Sequence, residues 1–241
     1  MERPFYKLII LIIDSDDPVY SVHQATWRAY MNSDPEILSL FVRCSPTYEG
    51  PNLDLSANTL TFKGTESLIP GILHKTLDAF DYCLQHFTFN HILRTNISSF
   101  LVFPILKEYI CSTLPGTGCY AGVRINNHYN TDFISGTGIY ISVDVAHTLI
   151  QNRGMCPANL PDDVAIGYFL TRTGTVSITS TNPLFSFISD TDTDHDTEKI
   201  TDAVSGNAFH FRIKNQYNRL QFDSHYMRLL LKTYYNLELS S

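Results

Sequence analysis

The stretch Lys7-Leu-Ile-Ile-Leu-Ile-Ile-Asp14 decides the fold class. Its unbroken aliphatic run, without alternation, predicts a strand buried on both faces, and the exit into Asp14-Ser-Asp-Asp-Pro18 predicts a polar loop at the strand's carboxyl end. A membrane span needs about 20 apolar residues, so this run is too short to cross a bilayer, and no signal-peptide cleavage pattern follows it. Next to it, His23, Trp27 and Tyr30 recur at helical spacing and predict a helix over Val22–Met31, after which Ile37–Val42 reads as a second strand. A β-α-β opening of this kind predicts an α/β protein with a central mixed, mostly parallel sheet flanked by helices.

Further out, Asn52–Thr61 reads as a polar loop with a short strand at Thr59–Phe62. Ile72, Leu73, Thr76, Leu77, Phe80 and Leu84 then mark one face of a helix over Ile69–Phe87. Asn90–Ile97 is the next expected core strand, broken by a turn at Ser98-Ser99 before a helix over Phe103–Ile110. After the break at Gly116 and Gly118 come a strand at Cys119–Ile125, a glycine-rich turn at Ser135–Gly138, and a helix over Ile139–Gln151 with a strand-like start. Asp162 opens another helix, with Asp163 beside it in the turn where carboxylates are favoured. Strands at Thr175–Thr179 and Phe209–Ile213 bracket an acidic loop, and the last helix covers Ser224–Tyr235. No repeat or linker interrupts the chain, so a single domain over 1–241 is expected.

Composition narrows the function classes. At 241 residues, with 44% hydrophobic residues, 15 Phe and 14 Tyr, the chain can fill a sizeable core. The 17 basic against 24 acidic residues leave a net charge of −7, which repels phosphate backbones and excludes a dedicated nucleic-acid binder. Asp190, Asp192, Asp194, Asp196 and Glu198 against Lys199 carry −4 of that charge, so the body is nearly neutral. Their spacing starts like a calcium loop, but His195 stands where the glycine is required and Thr201 where the bidentate glutamate belongs, which leaves a surface loop. Five cysteines with no CxxC, odd in number, predict reduced thiols and a cytoplasmic location.

Ligands of open α/β sheets sit at the carboxyl ends of strands, so Asp14–Asp17, Arg94–Ser99, Ser135–Gly138 and Asp162-Asp163 are the candidate places, with His210 inside a late strand. Each alone has a structural reading: turn aspartates, a serine helix cap, turn glycines, a helix N-cap and a packed histidine. Asn96-Ile-Ser98 also fits a glycosylation sequon, which its place at a strand end disfavours, and Gly136-x-Gly138 lacks a third glycine.

Taken in order, Ala25-Thr-Trp27, His74-Lys-Thr-Leu77, His91-Ile-Leu-Arg-Thr-Asn-Ile-Ser-Ser-Phe100, Tyr120-Ala-Gly122, Ile134-Ser-Gly-Thr-Gly-Ile-Tyr-Ile-Ser142, Leu160-Pro-Asp-Asp-Val-Ala-Ile-Gly167 and Phe209-His-Phe-Arg-Ile-Lys-Asn215 resemble the successive motifs of the Fringe and β-1,3-galactosyltransferase group. The wording of Arg94–Phe100 is closer to soluble glycosyltransferases of large DNA viruses. The resemblance implies a GT-A nucleotide-sugar-binding fold and inverting transfer of a hexose or pentose from a nucleotide sugar, expected to be a UDP-sugar, to a hydroxyl of a glycan or glycoprotein acceptor. It implies Asp163 as the general base, with Asp162 capping the helix or orienting the acceptor, and leaves the reverse assignment open. On the donor side it sets Lys75, Arg94, Thr95, Asn96, Ser98, Gly136 and His210, and by position in the fold Asp14, Asp16 and Asp17 face the base and ribose.

One departure matters. Where the group carries aspartates that hold Mn²⁺, this chain has Asn96-Ile97-Ser98. Neutral Asn and Ser compensate a dication's charge far less than carboxylates. Either Mn²⁺ or Mg²⁺ is held by diphosphate, water and His210, or cations such as Arg94, Arg212 or Lys214 replace it and transfer is metal-independent. The rival from another class is a decayed GT-A domain serving as a carbohydrate-binding or scaffold protein.

Overall fold

A computed structural model describes residues 3–174, 176–180, 185–188, 200–215 and 218–239. The acidic run Asp190–Glu198 and the predicted strand start at Thr175 lie outside the described residues. The chain forms two compact units, each assembled from three segments: Met1–Ser15, Pro35–Asn96 and Pro115–Thr181 in the first, Asp16–Asp34, Ile97–Leu114 and Asn182–Ser241 in the second.

The first unit is built on Phe5–Ile13 (β1), the strand that opens the sequence. Around it run Ile37–Ser45 (β2), Asn52–Asp54 (β3), Thr59–Lys63 (β4) and Thr88–Asn96 (β5), with Cys119–His128 (β7), Thr131–Ser142 (β8) and Ser177–Ser180 (β9) completing an eight-stranded sheet. Its order is β3-β4-β2-β1-β5-β8-β7-β9, with β1 parallel to both β2 and β5, and β5 antiparallel to β8. Central strands of a parallel sheet are covered on both faces, which is why β1 reads as a continuous run. Ile9, Leu11 and Ile13 enter a core with helices Gly71–His86 (α2), Val143–Gln151 (α4) and Asp162–Thr173 (α5), while Leu8, Ile10 and Ile12 are buried on the opposite face.

Registration aligns the strand ends. Ile13 pairs with Val42 on one side and Asn96 on the other, so Asp14, Arg43 and Asn96 share one edge of the sheet. Thr95 pairs with Gly138, which brings the Ser135–Gly138 segment to the same edge. That segment is strand, not the turn its glycines predict. Close approach is the use instead: a Cβ on Gly136 would lie 3.0 Å from Arg94 Nη1, and one on Gly122 of β7, where φ is +147°, would fall 2.2 Å from the Gly138 carbonyl oxygen. Likewise α5 lies tight on β8 at Gly167, where a Cβ would meet that of Phe133 at 2.2 Å. Two other expectations shift. Asn52–Thr61 contains β3 rather than loop alone, and β8 continues to Ser142 before α4 begins.

The second unit carries a three-stranded sheet of Ser99–Leu101 (β6), Phe185–Ile188 (β10) and His210–Ile213 (β11), in the order β10-β11-β6. Ser99 therefore belongs to a strand and not to the predicted turn. Helices Ser21–Tyr30 (α1), Phe103–Ser112 (α3) and Arg219–Tyr235 (α6) belong to it, the last starting well before the predicted Ser224. An aromatic cluster holds it: Tyr30 stacks on Trp27 at 5.2 Å and on Tyr235 at 4.6 Å, and meets Phe100 at 4.9 Å. The Trp27 indole donates to the Ile97 carbonyl at 3.0 Å, so the Thr-Trp motif works as packing. All five cysteines are free thiols, Cys83, Cys119 and Cys156 buried and Cys111 exposed. Among the described residues no helix is long and apolar enough to cross a membrane.

Candidate functional site

The densest cluster of chemical groups lies in the first unit, where β5, β8 and α5 meet. Pro161, with ψ 148°, turns the chain into α5, so Asp162 and Asp163 occupy its first turn, where backbone N–H groups and the helix dipole favour carboxylates. The two side chains have different fates. Asp162 is buried and accepts from Arg94 Nη2 at 3.1 Å through Oδ1, while Arg94 Nε stands 2.8 Å from Oδ2. One hydrogen bond and a close ion-pair contact thus hold the carboxylate to a buried guanidinium. Thr76 Oγ1 adds a bond to Oδ2 at 3.4 Å. Burial pushes the Asp162 carboxyl above its ordinary value, Arg94 pulls it back, and the neighbouring Asp163 charge pushes it up again.

Asp163 is half-buried. Its Oδ2 accepts from the Gly136 N–H at 2.8 Å and its Oδ1 from the Val164 N–H at 2.9 Å. Gly136 in turn offers its carbonyl to Asn96 Nδ2 at 2.7 Å and to Arg94 Nη1. Arg94 Nη1 also donates to Asn96 Oδ1 at 3.1 Å. Thr95 is buried and ties its hydroxyl to the Thr137 carbonyl at 2.6 Å. The structure thus brings together Arg94, Thr95, Asn96, Gly136, Asp162 and Asp163, six residues singled out from three separate stretches of sequence.

A second charged group sits along the same sheet edge. The buried Asp14 carboxylate accepts from Arg43 Nε and from the Ser15 N–H at 2.8 Å. Buried Lys75 donates to the Asp14 carbonyl at 3.1 Å and to Glu66 Oε2 at 2.6 Å. Lys75 also lines a cavity of about 350 Å³ with His74, Gly71, Ser67, Thr65 and Gly64, at the amino end of α2. Arg43, Glu66 and Thr76 were not singled out from sequence. The signal for Arg43 was its place right after the second predicted strand, and for Thr76 its place in His74-Lys-Thr-Leu77; a lone glutamate in a loop carries none.

The remaining candidates belong to the second unit. Asp16 and Asp17 are exposed, and Asp17 caps the short 3-10 helix Pro18–Tyr20 by accepting from the Val19 N–H at 3.0 Å. Ser98 is fully buried, and its hydroxyl finds no hydrogen-bond partner among the described residues. His210 is buried too, and burial, with the Arg212 charge adding to it, pushes its imidazole down to about 3. Among the described residues no three His, Cys, Asp or Glu side chains group as a metal site.

No protein-family model and no curated protein matches the chain. Among solved structures it is similar to a glycosyltransferase involved in the glycosylation of the major capsid of PBCV-1, with a TM-score of 0.53 over 90% of this chain and 98% of that one. At 11% identity the likeness is one of fold, and it fixes the architecture: a GT-A-like glycosyltransferase fold with a large, mostly parallel central sheet flanked by helices.

Proposed function

We propose that this chain is an inverting glycosyltransferase of the kind the Fringe-like motif order implies, moving a sugar from a UDP-sugar to a hydroxyl of a glycan or glycoprotein. The observation that carries this reading is the unequal pair on α5: Asp162 is locked to Arg94, while Asp163 is half-buried and anchored by single N–H donors. Inverting transfer needs one carboxylate that takes the acceptor hydroxyl's proton as that oxygen bonds to the anomeric carbon and the bond to the nucleotide diphosphate breaks. Asp162 is buried and already paired to a guanidinium, whereas Asp163 is half-buried and so open to an acceptor hydroxyl, which supports giving the role to Asp163. Asp162 then acts with Arg94 as a fixed dipole beneath it. The Asp14, Arg43, Lys75 and Glu66 group lies at the carboxyl ends of parallel strands, the usual place for a nucleotide, and its carboxylates and cations suit a uridine ring and ribose.

The residues at the end of β5 do not fit Mn²⁺ or Mg²⁺. A hard dication needs oxygens carrying negative charge, but Asn96 Oδ1 already faces the Arg94 guanidinium, whose charge would oppose a second cation there. We therefore read transfer as metal-independent at this position. Titration calorimetry with UDP-sugars, with and without Mn²⁺, tests the reading: binding in the absence of metal is the expected result. Failure of every sugar nucleotide to bind would instead leave a carbohydrate-binding relic of the fold.

A further inference from the structure

We propose that Asn96 is a positioning residue for the base Asp163, acting through Gly136, at the place where the family resemblance sets metal-binding carboxylates. This rests on the reading of Asp163 as the base. The connection is continuous: Arg94 Nη1 donates to Asn96 Oδ1 at 3.1 Å, Asn96 Nδ2 donates to the Gly136 carbonyl at 2.7 Å, and the Gly136 N–H donates to Asp163 Oδ2 at 2.8 Å.

Only two torsions separate the N–H and the carbonyl of Gly136, and in glycine both are soft. A base anchored on that N–H is only as well aimed as the carbonyl is well held. Asn96 and Arg94 hold it from the far side. There is no slack for a side chain at this point, since a Cβ on Gly136 would come within 3.0 Å of Arg94 Nη1 and 3.1 Å of Asp163 Oδ2.

The same geometry explains why the residue is an amide. Position 96 must accept from a guanidinium with one atom and donate to a carbonyl with the other, and among short side chains only asparagine does both. Aspartate would satisfy Arg94 but would set a charged oxygen against the Gly136 carbonyl. The missing carboxylate is thus replaced by a group with a different task. It is not a vacancy left by a lost metal site.

The test is a kinetic comparison of wild type with Asn96→Asp, Asn96→Ala and Asp163→Asn, each with UDP affinity measured separately by calorimetry and folding checked by urea denaturation. Positioning predicts that both Asn96 variants lose about 10- to 100-fold in kcat, the scale of a misplaced catalytic group. Donor KM and UDP affinity should stay within about threefold, because no binding contact is removed. A rise in donor KM with kcat unchanged would make Asn96 a donor contact and overturn the proposal. So would Mn²⁺-dependent activity of Asn96→Asp above wild type. If Asp163→Asn keeps wild-type kcat, the base reading itself fails and takes this inference with it. An inactive Asp163→Asn beside a fully active Asn96→Ala overturns the positioning role alone.

Discussion

Asp162 in the first unit and Asp223 in the second are both buried carboxylates gripped by an arginine, Asp162 by Arg94 at 3.1 Å and 2.8 Å and Asp223 by Arg219 at 3.2 Å, yet their surroundings differ. Asp223 is closed on every side. It accepts from the Asn215 N–H at 3.1 Å and Asn215 Nδ2 at 2.7 Å, and His23 Nε2 stands 3.3 Å away. Burial alone would raise its pKa, but the bonds from His23 and Asn215 outweigh that and hold it below the ordinary value. Asp162 goes the other way, raised by burial and by a like charge one residue on. Burial is the larger cause at Asp162 and the adjacent Asp163 adds to it; under the proposed function the first cluster is the site and the second a brace.

The largest effect that would break this contrast is on turnover. Asp163→Asn should lower kcat by about 10²- to 10⁴-fold, the usual contribution of a general base. The paired substitution Asp223→Asn should lower the urea midpoint while leaving kcat of the folded protein within a few-fold. If both variants lost turnover alike, the distinction between site and brace would collapse.

Next in size is the cost of removing an arginine. Arg94→Met leaves a buried charge without its cation, with the Asp163 N–H and a long contact from Thr76 as its remaining donors, so a loss of about 3–5 kcal/mol is expected from urea unfolding. Arg219→Met should cost about 1–2 kcal/mol, because Asp223 keeps its donors on Asn215 and His23. The double variant Arg94→Met/Asp162→Leu sharpens the point: it should recover most of the lost stability without recovering transfer. A double variant as unstable as Arg94→Met would show that the cost was packing rather than charge.

These clusters were unequally legible in the sequence. The first was found because Arg94, Gly136 and the Asp162-Asp163 pair follow strands or open a helix, and strand ends announce themselves by a change from apolar to polar residues. What the sequence concealed was mutual reach. Nothing local tells that Arg94 spends its charge on Asp162, or that Asn96 faces a glycine carbonyl, because those bonds span about 40 to 70 positions and depend on β5 lying against β8. The glycines of Ser135–Gly138 misled for a physical reason: glycine signals a turn and a close approach alike, and here it serves approach. Arg43 escaped because β2 continues to Ser45, past Val42, where the unbroken apolar run ends and periodicity stops speaking. The brace at Asp223 gave no signal, since a buried aspartate looks like any other polar residue on an amphipathic helix until its partners are known.

The smallest effect is one that should be absent. Burial pushes the His210 imidazole down to about 3, against about 6.5 for an unfolded chain, so its ring resonances should not move between pH 5 and 8. The linked stability has a definite sign. Below about pH 6.5 the unfolded chain binds a proton that the folded chain refuses, so stability falls as the pH drops from there toward 3. Asp223 adds a second loss in the same direction at lower pH, because its depressed pKa makes the ionised form part of the folded state. His210→Gln should therefore flatten the upper part of the acid limb seen in urea midpoints, and Asp223→Asn the lower part. A His210 resonance that titrates near neutrality would put the ring in contact with water. It would also restore His210 as a candidate donor contact.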